Sequence, residues 1–132
     1  MAKGYQRHQE RIKALSLFAR NLTRRSRACC ELCGSSGVKL VIFEVVPISS
    51  EPEYEHCIFI CETCKTQLDK PKKMDPTHWQ CLYSAIWSEV PAVQVVAVRQ
   101  LRQLAKQAPW AIDLLDQAYL DPETQDWADK VV

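Results

Sequence analysis

Apolar residues near the N-terminus recur at the spacing of an amphipathic helix. Ile12, Leu15, Phe18 and Leu22 follow one another at intervals of three, three and four residues. This spacing places them on one stripe of a helix with about 3.6 residues per turn. The pattern predicts a helix over residues 7–27 whose apolar stripe packs on the rest of the chain.

Two short apolar runs further along indicate β-strands. Segment 38–46 is rich in β-branched and aromatic residues and ends at Pro47, and segment 57–60 reads Cys-Ile-Phe-Ile. Residues 47–56, between the runs, contain two prolines, two serines and three glutamates. That composition is typical of a loop between strands. The sequence therefore predicts a β-hairpin.

Proline marks the start of each helix predicted in the C-terminal half. Asp75-Pro76 combines a capping carboxylate with a proline at the first helical position, and Asp121-Pro122 repeats the pattern. Valines at 93–98 also suit a strand, but the apolar spacing of that segment favours a helix. Helices are predicted over 76–88, 91–106 and 109–120, with a short turn over 122–129. Trp79, Tyr83 and Trp87 are four residues apart on one face of the first of these helices, and they are interpreted as core residues.

Two Cys-x-x-Cys pairs flank the predicted hairpin, Cys30 with Cys33 and Cys61 with Cys64. Each pair delivers two sulfurs from one turn, and four thiolates are what a tetrahedral Zn²⁺ site needs. Four sulfur ligands leave no open position for water, so the spacing predicts a structural Zn²⁺ site. The alternative is a disulfide pair or a redox role for these cysteines.

Three further cysteines leave one ambiguity in this ligand set. Cys29 could replace Cys30, since it also lies within bridging reach of Cys33. Cys30 is preferred because it reproduces the spacing of the second pair. Cys57 is interpreted as a small buried hydrophobe, and Cys81 likewise, with an alternative role as a ligand.

Positive charge is concentrated at the N-terminus, although the net charge of the chain is only +1. Residues 1–30 carry eight Lys or Arg against one acid, Glu10. A basic segment of this kind contacts an external anion or docks on the acidic remainder of the chain, and both interpretations stay open. Contact with nucleic acid or another polyanion is predicted for Arg20, Arg24, Arg25 and Arg27.

The chain shows neither an apolar segment like that of a secretory signal peptide nor a run of about 20 apolar residues. These features predict a cytoplasmic protein that does not engage a membrane. A reducing compartment favours metal binding over disulfides for its seven cysteines.

No catalytic residue is predicted. His8, His56 and His78 are not spaced as paired ligands. A hairpin with a Cys pair at each end invites comparison with HNH nucleases, which need a histidine ending the first strand, a loop asparagine and a histidine after the second pair. Here Lys65 follows the second pair and Asn21 is the only asparagine, so that class of nuclease is disfavoured.

The two Cys-Glu-x-Cys pairs and two downstream blocks resemble the PhnA family of bacterial proteins. The blocks are His-Trp-Gln-Cys-Leu at 78–82 and Trp-Ser-Glu-Val-Pro-Ala-Val-Gln-Val-Val-Ala at 87–97. The resemblance covers roughly residues 26–130 and implies a zinc-ribbon-like element on the four paired cysteines. Longer family members carry a further β-rich domain after this region, and the basic segment before Cys30 is longer than the family pattern.

These observations predict an α+β fold: a small treble-clef or zinc-ribbon hairpin with an N-terminal basic helix and a C-terminal helical bundle. The predicted segments are 1–27, 28–70 and 71–132. The predicted function is that of a PhnA-like, non-enzymatic zinc-binding protein that contacts nucleic acid or another polyanion. Two alternatives are an accessory or hydrolytic protein of alkylphosphonate metabolism and an adaptor that binds a protein through its helical half.

Overall fold

The structure is a computed structural model that describes residues 2–130, with side chains from residue 7 onward. Its helices are α1 (Ala2–Ser16), α2 (Ala19–Ser26), α3 (Glu62–Asp69), α4 (Leu82–Ala85), α5 (Pro91–Leu104), α6 (Pro109–Gln117) and α7 (Pro122–Asp129), and its strands are β1 (Leu40–Glu44) and β2 (Cys57–Cys61). Short 3-10 turns span Tyr54–His56, Pro71–Lys73 and His78–Cys81. The predicted α+β combination is confirmed. Met1 and residues 131–132, which belong to the predicted end segments, lie outside the described residues.

The two strands form an antiparallel hairpin that is covered on both faces. Its register pairs Leu40 with Cys61 at one end. Because successive side chains of a strand point to opposite faces, Ile58 and Ile60 enter the main core while Phe59 packs towards α2. This two-sided burial explains why β2 is apolar along its whole length.

Helix α5 lies at the centre of the main core. Nine of its 14 residues are buried, and it contacts α4, α6, α7 and β2. A helix covered on most sides needs apolar residues all round, which accounts for its valine-rich sequence. Cys30, Cys61 and Cys64 belong to the same core, so the cysteine element and the helical region share one apolar interior.

The predicted helix over 7–27 is divided into α1 and α2 by a turn at Leu17 and Phe18. Most of the predicted apolar stripe still packs on the hairpin. Leu22 is fully buried there, whereas Ile12 is 47% exposed. Helix α2 contacts β2, so the stripe is buried at its C-terminal end and exposed at its N-terminal end.

The predicted helix over 76–88 is mostly replaced by a 3-10 turn followed by the single turn of α4. A 3-10 turn has about three residues per turn, which breaks the spacing of four on which the prediction of a shared aromatic face rested. Trp79 is fully buried, but Tyr83 and Trp87 are about half exposed. That prediction is therefore wrong for Tyr83 and Trp87.

Candidate metal centre and basic surface

The structure brings the sulfur atoms of Cys30, Cys33, Cys61 and Cys64 within 4.8 Å of one another. The sulfurs of Cys30 and Cys64 are 3.7 Å apart, and those of Cys33 and Cys61 are 3.6 Å apart. Four sulfurs at about 2.3 Å from a central Zn²⁺ form a tetrahedron with edges of about 3.8 Å, whereas a disulfide bond is about 2.05 Å long. All four cysteines are free, and their spacing fits a bound metal ion.

Each cysteine pair forms a tight turn, here called the first knuckle (residues 30–33) and the second knuckle (residues 61–64). In each knuckle the backbone N–H of the second cysteine donates to the sulfur of the first, at 3.4 Å. The first knuckle continues into Gly34, whose N–H donates to the Cys30 carbonyl at 2.9 Å. Gly34 has φ +79°, a left-handed conformation that favours glycine.

The four sulfurs perturb one another's protonation. The hydrogen bond between the Cys30 and Cys64 sulfurs lowers the pKa of Cys30 to about 4 and raises that of Cys64. Burial raises the pKa of Cys61. Four thiolates at this spacing would repel one another, and a divalent cation between them removes that repulsion and binds all four.

The other cysteines lie outside the four-sulfur group. The Cys29 thiol donates to the Arg27 carbonyl at 3.4 Å, so the structure places Cys30 rather than Cys29 among the clustered sulfurs. Cys57 is fully buried, and burial raises its pKa to about 11. Cys81 lies beside the first knuckle, where burial raises its pKa to about 12.

Two polar side chains that the sequence analysis did not select also contact the sulfurs. His78 Nε2 lies 3.2 Å from Cys64 Sγ, and Ser35 Oγ lies 3.0 Å from Cys33 Sγ. A metal-ligating histidine is recognised in a sequence by its fixed spacing from a second ligand. A hydrogen-bond partner has no such spacing, and only the fold brings residue 78 back to the second knuckle.

Arg25 is turned inward and ties α2 to the first knuckle. Its guanidinium donates to both carboxylate oxygens of Glu31, at 2.9 and 2.7 Å, and to the Cys57 carbonyl at 2.7 Å. Glu31 also accepts from the Phe59 N–H at 2.8 Å. The Arg25 and Glu31 side chains are only 16% and 5% exposed. This internal ion pair removes Arg25 from the four arginines predicted to contact nucleic acid.

Arg11 anchors α1 in a similar manner. Its Nε donates to Glu44 at 2.8 Å, and its terminal nitrogens donate to the carbonyls of Ser49 and Ser50 at 3.0 and 3.1 Å. Two of the basic residues near the N-terminus therefore neutralise acidic residues of the same chain. The predicted self-docking of this segment applies to Arg11 and Arg25.

Three of the four arginines predicted to contact nucleic acid remain at the surface. Arg20, Arg24 and Arg27 are exposed, and none of them forms an ion pair within residues 2–130. Arg20 and Arg24, four residues apart, lie on one side of α2, and Arg27 is its C-terminal cap. We call these three residues the arginine face.

Comparison with known proteins identifies no relative of this chain. The chain matches no family model, and no curated protein and no solved structure is significantly similar to it. Among residues 2–130, no helix combines the length and the apolar character needed to cross a bilayer. The four sulfurs and the arginine face are therefore the features of the chain that bear on its function.

Proposed function

We propose that this chain is a non-enzymatic, zinc-stabilised module that binds nucleic acid through its arginine face. The spacing of the four sulfurs carries the first part of the proposal. Thiolate ligands in tetrahedral arrangement suit Zn²⁺. The chain order of a knuckle, a hairpin and a second knuckle that opens a helix supports a treble-clef arrangement.

The proposed role of the zinc is structural. A site that is filled by four protein sulfurs offers no open position for water or a substrate. The hairpin has only two strands of five residues each, and a hairpin of this size is marginally stable alone. Zinc would link the knuckle that precedes β1 to the knuckle that follows β2, and would contribute folding free energy on the order of 10 kcal/mol.

The arginine face supports the second part of the proposal. Arg25 and Arg11 fix the orientation of the basic helices through Glu31 and Glu44. The arginine face is left pointing to solvent without acidic partners in the described chain. Guanidinium groups match phosphate geometry with paired hydrogen bonds, so a row of three suits a nucleic-acid backbone.

A charge-matched pair of triple variants tests this contact. The first replaces Arg20, Arg24 and Arg27 by glutamine. The control replaces Lys70, Lys72 and Lys73, an exposed basic cluster after α3, so that the net charge changes equally. Fluorescence anisotropy with labelled single-stranded RNA, single-stranded DNA and duplex DNA measures affinity over a range of salt concentrations, with heparin as a polyanion without bases.

We expect the wild-type affinity to fall steeply with salt, because bound arginines release counterions. The slope of log affinity against log salt should decrease by about 2–3 in the arginine variant and remain unchanged in the lysine variant. Absence of binding at micromolar protein in low salt would contradict the proposal. So would an equal loss in both variants, or binding to heparin alone.

The resemblance to the PhnA family stays a prediction, as do the phosphonate and adaptor alternatives. A hydrolytic role would need an open metal position or an activated nucleophile. The proposed four-sulfur shell supplies neither, which is why the structural role is preferred.

A further inference from the structure

We propose that Ser35 and His78 complete the metal centre by donating hydrogen bonds to two of its sulfurs. The inference rests on the proposed metal site and concerns the groups around the ligands. It assigns a role to a histidine and a serine that belong to no ligand motif.

A zinc ion with four thiolates carries a net charge of −2. Three of the four sulfur-bearing residues are buried, and buried charge must be offset by hydrogen bonds. Cys30 and Cys61, the first cysteine of each knuckle, each accept one backbone N–H at 3.4 Å. These two bonds arise from the knuckle turns themselves and need no other part of the chain.

Cys33 and Cys64, the second cysteine of each knuckle, receive side-chain partners instead. Ser35 Oγ lies 3.0 Å from Cys33 Sγ, and His78 Nε2 lies 3.2 Å from Cys64 Sγ. A metal-bound thiolate has no proton to donate, so the hydroxyl and the imidazole must be the donors. This requirement assigns the proton to Nε2 of His78 and gives each sulfur one hydrogen bond.

The fold holds His78 in place through α3, the helix that also carries Cys64. Gln67 of α3 accepts hydrogen bonds from the Asp75 N–H at 2.7 Å and from the Trp79 indole at 3.2 Å. Trp79 is fully buried, and its ring contacts the His78 ring edge-on with centroids 5.0 Å apart. The short segment that contains His78 is therefore fixed on both sides against α3.

The two donors lie where small molecules can reach the site. A hollow of about 400 Å³ is lined by Ser35, Cys61 and His78, among others. A chelator or an oxidant entering this hollow would meet the sulfurs from the side that these donors occupy. A hydrogen bond withdraws electron density from a thiolate, so both donors should slow loss of the metal and attack on sulfur.

Zinc transfer from the loaded full-length chain to a chromophoric chelator tests the assignment. We expect His78→Ala to release zinc at least about 10-fold faster than wild type, and Ser35→Ala to change the rate in the same direction. His78→Gln keeps an N–H near the same position and should retain most of the slow release. His8→Ala, an exposed histidine on α1, and Ser36→Ala are the matched controls and should release zinc at the wild-type rate.

Cobalt substitution separates hydrogen bonding from a general loosening of the site. A thiolate without its donor gives electrons more readily, so the thiolate-to-Co²⁺ charge-transfer band should move to lower energy in His78→Ala and return in His78→Gln. An unchanged band and release rate in His78→Ala would overturn the assignment. A wild-type spectrum typical of three sulfurs and one nitrogen would also overturn it, because His78 would then be a ligand.

The same experiment distinguishes the two proposals. If the wild-type chain binds neither Zn²⁺ nor Co²⁺, the metal site itself is refuted and the donor assignment with it. If the wild-type chain binds the metal and the His78 and Ser35 variants behave as wild type, the metal site stands and the donor assignment fails.

Discussion

At the scale of single residues, the backbone is most constrained where α2 runs into the first knuckle. Arg27 and Ala28 both have φ 58°, in the left-handed region that disfavours side chains by roughly 1–2 kcal/mol. The Ala28 N–H donates to the Thr23 carbonyl at 2.9 Å and so closes the end of α2. Gly34 adopts a comparable left-handed conformation without that strain.

Two opposite substitutions test whether Ala28 is strained and Gly34 is not. Ala28→Gly should raise the free energy of unfolding by about 0.5–1 kcal/mol, because strain relief exceeds the added freedom of the unfolded chain. Gly34→Ala should lower it by about 1 kcal/mol, through the backbone alone, since nothing lies within 4 Å of the added Cβ. Urea unfolding of the metal-saturated protein measures both, and a destabilised Ala28→Gly variant would contradict the account.

A site residue can be predicted from the sequence only where it belongs to a motif with a short, fixed spacing. The knuckle cysteines could be selected because two ligands three residues apart form one turn. His78 is 14 residues beyond Cys64, and its approach depends on how Gln67 and Trp79 fold the chain back. Arg25 looked like its exposed neighbours because no local pattern revealed its ion pair with Glu31.

At the scale of secondary-structure elements, the Arg25–Glu31 ion pair joins α2, the first knuckle and β2. Glu31 binds the Arg25 guanidinium and the Phe59 N–H at once. Glu62 occupies the same position in the second knuckle, but its Lys39 partner is 3.7 Å away and both side chains are largely exposed. The two Cys-Glu-x-Cys motifs are therefore alike in sequence, but their glutamates differ: Glu31 forms a mostly buried ion pair and Glu62 an exposed one.

These two glutamates form a matched test. Glu31→Gln should lower the free energy of unfolding by about 3 kcal/mol, because it leaves the Arg25 charge without its partner in a mostly buried position. Glu62→Gln should change it by less than about 0.5 kcal/mol, as expected for an exposed pair. Denaturant unfolding of both metal-saturated variants measures these changes. Equal changes in the free energy of unfolding would refute the assigned role of Glu31.

The helices and strands were predicted best where the sequence shows a single clear pattern of apolar residues. The hairpin and helices α5 and α6 follow from apolar runs and from proline at helix starts, whereas the short turn predicted over 122–129 is the α-helix α7. The division of the first helix and the 3-10 turn at His78–Cys81 were not predicted, because the apolar spacing of both segments suits a continuous α-helix. Tertiary packing overrode the local period in each case.

At the scale of the whole molecule, the cysteine cluster and the C-terminal helices are parts of one interior. Cys30, Cys61 and Cys64 pack in the same core as Trp79 and Leu101. Removal of the metal should therefore disturb the helical half as well as the hairpin. The proposed metal site therefore bears on the stability of the whole main core.

The central claim is that the two knuckles bind one zinc ion, and metal content measured together with thiol titration tests it most directly. We expect one zinc per native chain, and a chelator should release that zinc together with four newly reactive thiols. Cys29→Ser should keep the zinc, whereas Cys30→Ser should bind it far more weakly, since it removes one of the four clustered sulfurs. A native chain without zinc, whose knuckle thiols react before any chelator is added, would contradict the account.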